Sequence, residues 1–292
     1  MKHVQRLERD KNTMAEASVS PAHPFDSAVA LVAKGEGVYE GHTSDDFWNF
    51  TGPFGGVTAA TLLNAVMKHG KRIGTPVAMT VNYCAPVAKG AFTVTVREVR
   101  TNRSTQHWTI ELSQPEAGVS VTATAVFAIR RETWSHVPGA MPQSPPPETL
   151  PKLPTRGLME WMQAYDFRFA RNMPAPPRPE PADDDLGPAL SHVWMKMQPE
   201  RPLDFLSLMA ISDTFFGRIF HVRKSMIRIG TVSMTPYFHV DAEEIAAAGS
   251  DYVFGTADAN VFNKGYSDQV AAMWSRSGRL VATSHQIVYF RS

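Results

Sequence analysis

The sequence predicts an α+β fold made of two successive copies of one unit, each an antiparallel sheet wrapped around a central helix. Three observations carry this. Two helix-like segments are apolar around most of their circumference, as expected of helices buried on all sides. Each is followed by a run of four segments with β-branched alternation. The second run also echoes the first at a constant spacing along the chain.

In the first half, GVYEGHT from Gly37 reads as a short strand. GPFGGVTAATLLNAVMKHGKRIG from Gly52 is the first helix, opened by Gly55 and Gly56 and closed by Gly70. Lys68, His69, Lys71 and Arg72 gather at its end, where positive charge complements the helix dipole. PVAMTVNY, AFTVTVREV, HWTIELS and VSVTATAVFAI then predict four strands. The second half repeats the order. HVWMKMQ is a strand, PLDFLSLMAISDTFFGRIF from Pro202 to Phe220 is one helix, and GTVSMTPYFHV, DYVFGTADANVF, QVAAMWSR and LVATSHQIVYFR are strands.

The repeat is clearest at an offset of 160, where GVSVTATAVFAIRR faces GRLVATSHQIVYFR: Gly118 meets Gly278, Val121 meets Val281 and Arg131 meets Arg291. A second anchor sets MTVNYCAP against SMTPYFHV, with Tyr83 opposite Tyr237. A sheet curled around a helix, twice in one chain, is the double hotdog architecture. The expected division is a tail over 1–22, an N-terminal hotdog domain over 23–137, a proline-rich linker over 138–155 and a C-terminal hotdog domain over 156–292. A second proline-rich stretch, Met173 to Pro188, reads as a long surface loop, since dense proline opposes helix and central strand.

Composition narrows the function classes. The 292 residues are 43% hydrophobic and 20% charged, enough apolar surface for a substantial core. A net charge of +1 supplies no long-range field to hold nucleic acid or an anionic membrane. The lone cysteine, Cys84, allows no internal disulfide, and its strand context suggests a small buried hydrophobe. The ten histidines show no metal-ligand spacing. The first twenty residues lack the apolar core of a secretory signal, and there is no apolar run of the ~18 residues a membrane span needs. A cytoplasmic protein that touches neither membrane nor nucleic acid is expected.

Three polar residues stand in apolar settings. Asp213 lies among Leu208, Met209, Ile211, Phe215 and Phe216, where an ionised carboxylate needs hydrogen-bond partners or access to water. It therefore either bonds a nearby backbone or basic group, or lines a cavity. Gln286 shares one strand face with Ser284 and Val288, and His285 points to the other. Thr231 opens the strand GTVSMTPYF. By the offsets above, Gln286 answers to Val126 and Thr231 to Val77, so both positions are polar in one copy and apolar in the other.

FGGVTAATLLNA from Phe54, the pair ISDTFF and IGTVSMTPYFH, and the closing GRLVATSHQIVYFR resemble the acyl-CoA thioesterase II family of double hotdog proteins, over most of the chain from about Phe25 onward. The resemblance implies an acyl-CoA substrate, a place in fatty acid metabolism, no metal and no cofactor. It also implies a catalytic trio on Asp213, Thr231 and Gln286 that holds a water for direct attack. Asp213 would act as general base, Thr231 would donate to Asp213 and accept from the water, and Gln286 would orient the water. The helix start at Gly55 and Gly56 would bind substrate through a backbone N–H aimed at the oxyanion. Pairing of such sheets leaves room for a homodimer. Pro236 within its strand, a missing acidic residue there and the 173–188 insert depart from the family pattern. Two other readings stay open. A hotdog enoyl-CoA hydratase or dehydratase would need an Asp/His pair near the glycine-led helix, where His42, Asp45 and Asp46 lie just upstream. A non-catalytic acyl-CoA-binding protein would need only the fold.

Overall fold

The computed structural model describes residues 22–176, 178, 180, 184–225 and 227–291. The expected tail lies outside them except for Ala22, and the expected loop at 173–188 lies partly outside them.

Among the described residues one antiparallel sheet runs through both halves. The first half contributes β1 (Val32–Gly35), β2 (Val38–His42), β3 (Thr75–Tyr83), β4 (Ala91–Thr101), β5 (Thr105–Gln114) and β6 (Gly118–Ala128), in the spatial order β1-β2-β4-β5-β6-β3. The second half contributes β7 (Tyr165–Arg171), β8 (Ser191–Met197), β9 (Arg228–Phe238), β10 (Val253–Asp258), β11 (Phe262–Asn263), β12 (Tyr266–Ser275) and β13 (Leu280–Arg291). Their order is β9-β13-β12-β10-β8-β7, with β11 folded onto β12. The second order mirrors the first, and the halves join where β3 pairs with β9, Val81 opposite Met234. The tandem hotdog architecture predicted from the sequence is the one observed. Strands β1, β7 and β11 and the short helices α1 (Pro24–Ala28), α3 (Glu160–Gln163) and α6 (Ala242–Ala247) carry no apolar period strong enough to be read beforehand.

The first central helix, α2 (Gly55–Met67), is buried from Gly56 to Val66. The second departs from expectation. It is two helices, α4 (Phe205–Ile211) and α5 (Arg218–Arg223), with Asp213 in the turn between them. The cause is local. The Ser212 hydroxyl donates to Leu208 O at 2.8 Å and the Thr214 hydroxyl to Ile211 O at 2.8 Å, so a Ser-Asp-Thr run takes up carbonyls at the end of α4. Asp213 thus stands at the end of the core helix and not within it.

The repeat offset also needs correction. The irregularity that skips Ser120 in the β5–β6 pairing recurs at Val281 in β12–β13, and Leu112↔Val121 corresponds to Met273↔Ala282. Those strands are therefore related by 161 residues. The turns before β6 and β13 are equal in length, and Gly278 falls one position before Arg279, the true counterpart of Gly118. The skipped residues Val77 and Val232 likewise relate β3 to β9 by 155, so Tyr83 answers to Phe238 and not to Tyr237. A one-residue shift reverses every side chain in a strand. Gln286 therefore corresponds to buried Ala125, not Val126, and Thr231 to Pro76, not Val77. Cys84 is exposed, not buried, because it lies just past the end of β3.

Candidate active site

The start of α2 and the turn after α4 approach each other closely enough to exclude side chains. A Cβ on Gly55 would lie 2.7 Å from Asp213 Oδ2 and 3.2 Å from the Tyr83 hydroxyl, and one on Gly56 would lie 2.5 Å from Ala210 O. Glycine is needed at both positions for this approach and not for a positive φ. Tyr83 fixes the contact by donating to Gly55 O at 2.8 Å.

Asp213 is held from both halves. Gln286, 3% exposed on β13, donates through Nε2 to Asp213 Oδ1 at 3.1 Å and to Ser212 O at 3.2 Å, with Met234 Sδ at 3.3 Å. Burial raises the Asp213 carboxyl from 3.8 to about 7, and the Gln286 amide and the Gly56 N–H hold it back from rising further. The same charge and the burial around it push the Tyr83 and Tyr165 phenols well above their ordinary value, burial contributing more.

Asp213 stands where two cavities meet. The outer one, about 400 Å³, is lined by Gly55, Thr58, Tyr83, Cys84, Tyr266 and Tyr289 among others. The inner one, about 110 Å³, is lined largely by aromatic rings together with Gln286 and Gln269. Asp213, Thr231 and Asn49 line both. Phe54 and Trp161, their rings stacked at 4.3 Å, form part of the inner wall.

Of the residues singled out in the sequence, Asp213 and Gln286 are in direct contact and Thr231 lines the same two cavities without a hydrogen bond to Asp213. Gly55 lines the outer cavity, whereas the Gly56 N–H faces the Asp213 carboxylate. His42, Asp45 and Asp46 line neither cavity. The sequence reading does not single out Tyr83, Asn49 or Gln269. Their signal, a polar group on an element end or on a helix-facing strand position, is visible only once the register is known.

The family profile for the acyl-CoA thioesterase C-terminal domain matches residues 138–290, and that for the acyl-CoA thioesterase N-terminal domain matches residues 44–128. The chain belongs to the acyl-CoA thioesterase family. Among solved structures, it is similar to a conserved hot dog protein of unknown function from Alicyclobacillus acidocaldarius, at 42% identity and a TM-score of 0.86 over 92% of this chain and 98% of that one. It shares its fold with the acyl-CoA thioesterase II TesB2 of Mycobacterium marinum, at 17% identity and a TM-score of 0.73 over 91% and 98% of the two chains. It also shares it with a tesB protein of Mycobacterium avium subs. paratuberculosis, at 16% identity and a TM-score of 0.73 over 92% and 98%. No curated protein matches. No helix among the described residues of this thioesterase-family chain is long and apolar enough to cross a membrane.

Proposed function

We propose that the chain hydrolyses acyl-CoA thioesters by direct attack of water, with Asp213 as general base. One observation carries the reading: a carboxyl brought to about 7 by burial, where a larger cavity meets a smaller one lined largely by aromatic rings. A base is most effective when its pKa lies near the working pH. The outer cavity takes the CoA arm and the inner one the acyl group, so the thioester carbonyl passes beside Asp213.

The hydrogen bonds support the following roles for the remaining residues. The N–H groups of Gln286 are engaged with Asp213 and Ser212, so only its Oε1 can meet the water, as an acceptor. The water donates one hydrogen to Asp213 and the other to Gln286 Oε1, and accepts from the Thr231 hydroxyl. Its oxygen attacks the carbonyl carbon while Asp213 takes its proton. The carbonyl oxygen, now negative, is met by the Gly55 N–H, one of the donors left free at a helix start. The C–S bond then breaks, the carbonyl reforms as the free acid, and the proton on Asp213 goes to the departing CoA sulfur.

The test is release of free thiol from a panel of acyl-CoAs, short to long, by wild type and Asp213→Asn. Turnover by wild type that falls about a hundredfold or more in the variant supports the base assignment. Equal turnover by the two proteins removes it. Binding of acyl-CoA by wild type without thiol release replaces the enzyme with a binding protein. Formation of 3-hydroxyacyl-CoA from crotonyl-CoA replaces it with a hydratase.

A further inference from the structure

The start of α2 has little within the helix to hold it. Phe54 at its N-cap makes no side-chain hydrogen bond, its first turn has no acidic residue, and its first two positions are Gly55 and Gly56. Glycine is among the least favourable residues in a helix, and helices fray at their ends. Yet this start has to present its N–H groups in fixed directions, that of Gly56 toward the Asp213 carboxylate.

Two groups from outside the helix steady it. Tyr83, the last residue of β3, donates its hydroxyl hydrogen to Gly55 O at 2.8 Å. Asp213, from the turn after α4, meets the Gly56 N–H, and its Oδ2 lies 2.7 Å from where a Cβ on Gly55 would stand. The Gly55 carbonyl and the Gly56 N–H are the two ends of one peptide group. That group is planar and rigid, so a partner that holds one end also aims the other. The Tyr83 hydroxyl, this peptide and the carboxylate thus form one chain of hydrogen bonds. A donor at the carbonyl end polarises the peptide and makes its N–H the stronger donor at the far end.

We infer that Tyr83 is a positioning residue for the general base, acting on Asp213 through the Gly55–Gly56 peptide. The inference rests on the thioesterase reading above and adds a residue to that same site. Without the phenol hydroxyl the peptide is free to tilt, the Gly56 N–H weakens as a donor, and the ionised carboxylate loses part of its support.

Nothing else around Asp213 takes over this part. Among the described residues the titratable groups that sense its charge are the phenols of Tyr83 on β3 and Tyr165 on β7, and burial holds both neutral. No charged side chain among the described residues acts on its carboxyl, and the Gln286 amide on β13 is its other donor. The Tyr165 hydroxyl has no hydrogen-bond partner among the described residues. Only Tyr83 therefore has a peptide to act through.

The experiment is the pH dependence of kcat/KM, by free-thiol release from an acyl-CoA, in wild type, Tyr83→Phe and Tyr165→Phe, with circular dichroism to confirm the fold. In Tyr83→Phe the midpoint of the acid limb is expected to rise by about half a pH unit, so that kcat/KM falls about threefold more at pH 6 than at pH 9. Tyr165→Phe is expected to keep the wild-type midpoint. Activity of Tyr83→Phe lowered by one factor at every pH, or an equal shift in Tyr165→Phe, overturns the inference. If wild type releases no thiol from any acyl-CoA, the thioesterase reading fails. Titration of the Asp213 carboxyl carbon followed by NMR, its signal assigned with Asp213→Asn, then decides the coupling without turnover. A midpoint higher in Tyr83→Phe than in wild type supports it, and equal midpoints overturn it.

Discussion

The two halves share strand order and register yet use equivalent positions in opposite ways. Where the second half has Gln269, Gln286 and Thr231, the first has Trp108, Ala125 and Pro76. Trp108 and Ala125 are buried in the apolar core. The Trp108 indole is satisfied within its own half by Gln106 Oε1 at 3.1 Å, whereas the Gln269 amide nitrogen has no partner among the described residues. The first half in turn supplies what the second does not: the close-packed start of a thirteen-residue helix, with Tyr83 latched to Gly55. One copy thus closes its helix-facing sheet with apolar side chains and offers a helix start, and the other offers the carboxylate and amides that meet it.

The sharpest way to break this division is Asp213→Asn, expected to lower turnover about a hundredfold or more in a thiol-release assay while circular dichroism stays that of wild type. Next in size is the reciprocal change, Ala125→Gln. It places an amide where the first half has no partner for one and should cost about 2 kcal/mol or more in urea denaturation. A stability equal to wild type would mean that the first half has unused room for a polar site.

The pH dependence follows from Asp213. Its proton is held more tightly folded, at about 7, than in an ordinary carboxyl at 3.8. kcat/KM should therefore rise about tenfold per pH unit below 7 and level off above it. For stability the sign is the reverse. Ionising a raised carboxyl costs the folded state, with no cost below about pH 4 and the full cost above 7. The Tm of Asp213→Asn relative to wild type should accordingly increase between pH 4 and 8, and a constant difference would detach the carboxyl from the burial that is held to raise it. The smallest effect is expected for Tyr83→Phe, which removes one hydrogen bond to Gly55 and should reduce kcat a few-fold.

The site was legible in proportion to how far each residue departs from its local pattern. Asp213 and Gln286 stand out in the sequence because a carboxylate and an amide interrupt apolar runs, and they are in contact in the structure. Gln269 interrupts nothing, since it follows Ser267 and Asp268 at the polar start of β12. The repeat was visible but placed one residue off, because the two matched glycines, Gly118 and Gly278, occupy neighbouring and not equivalent positions of turns equal in length.

The sequence by itself determined two apolar helices, most of the strands and the doubling of one unit, because alternation and helical periodicity are local properties of hydrophobic side chains. Only the tertiary structure decided that Gly55 lies against the Asp213 carboxylate from the other half, and that Gln269 turns its donors away from Arg218. Each of these depends on groups far apart in the chain, and register, close approach and amide orientation are set by partners that no local pattern names.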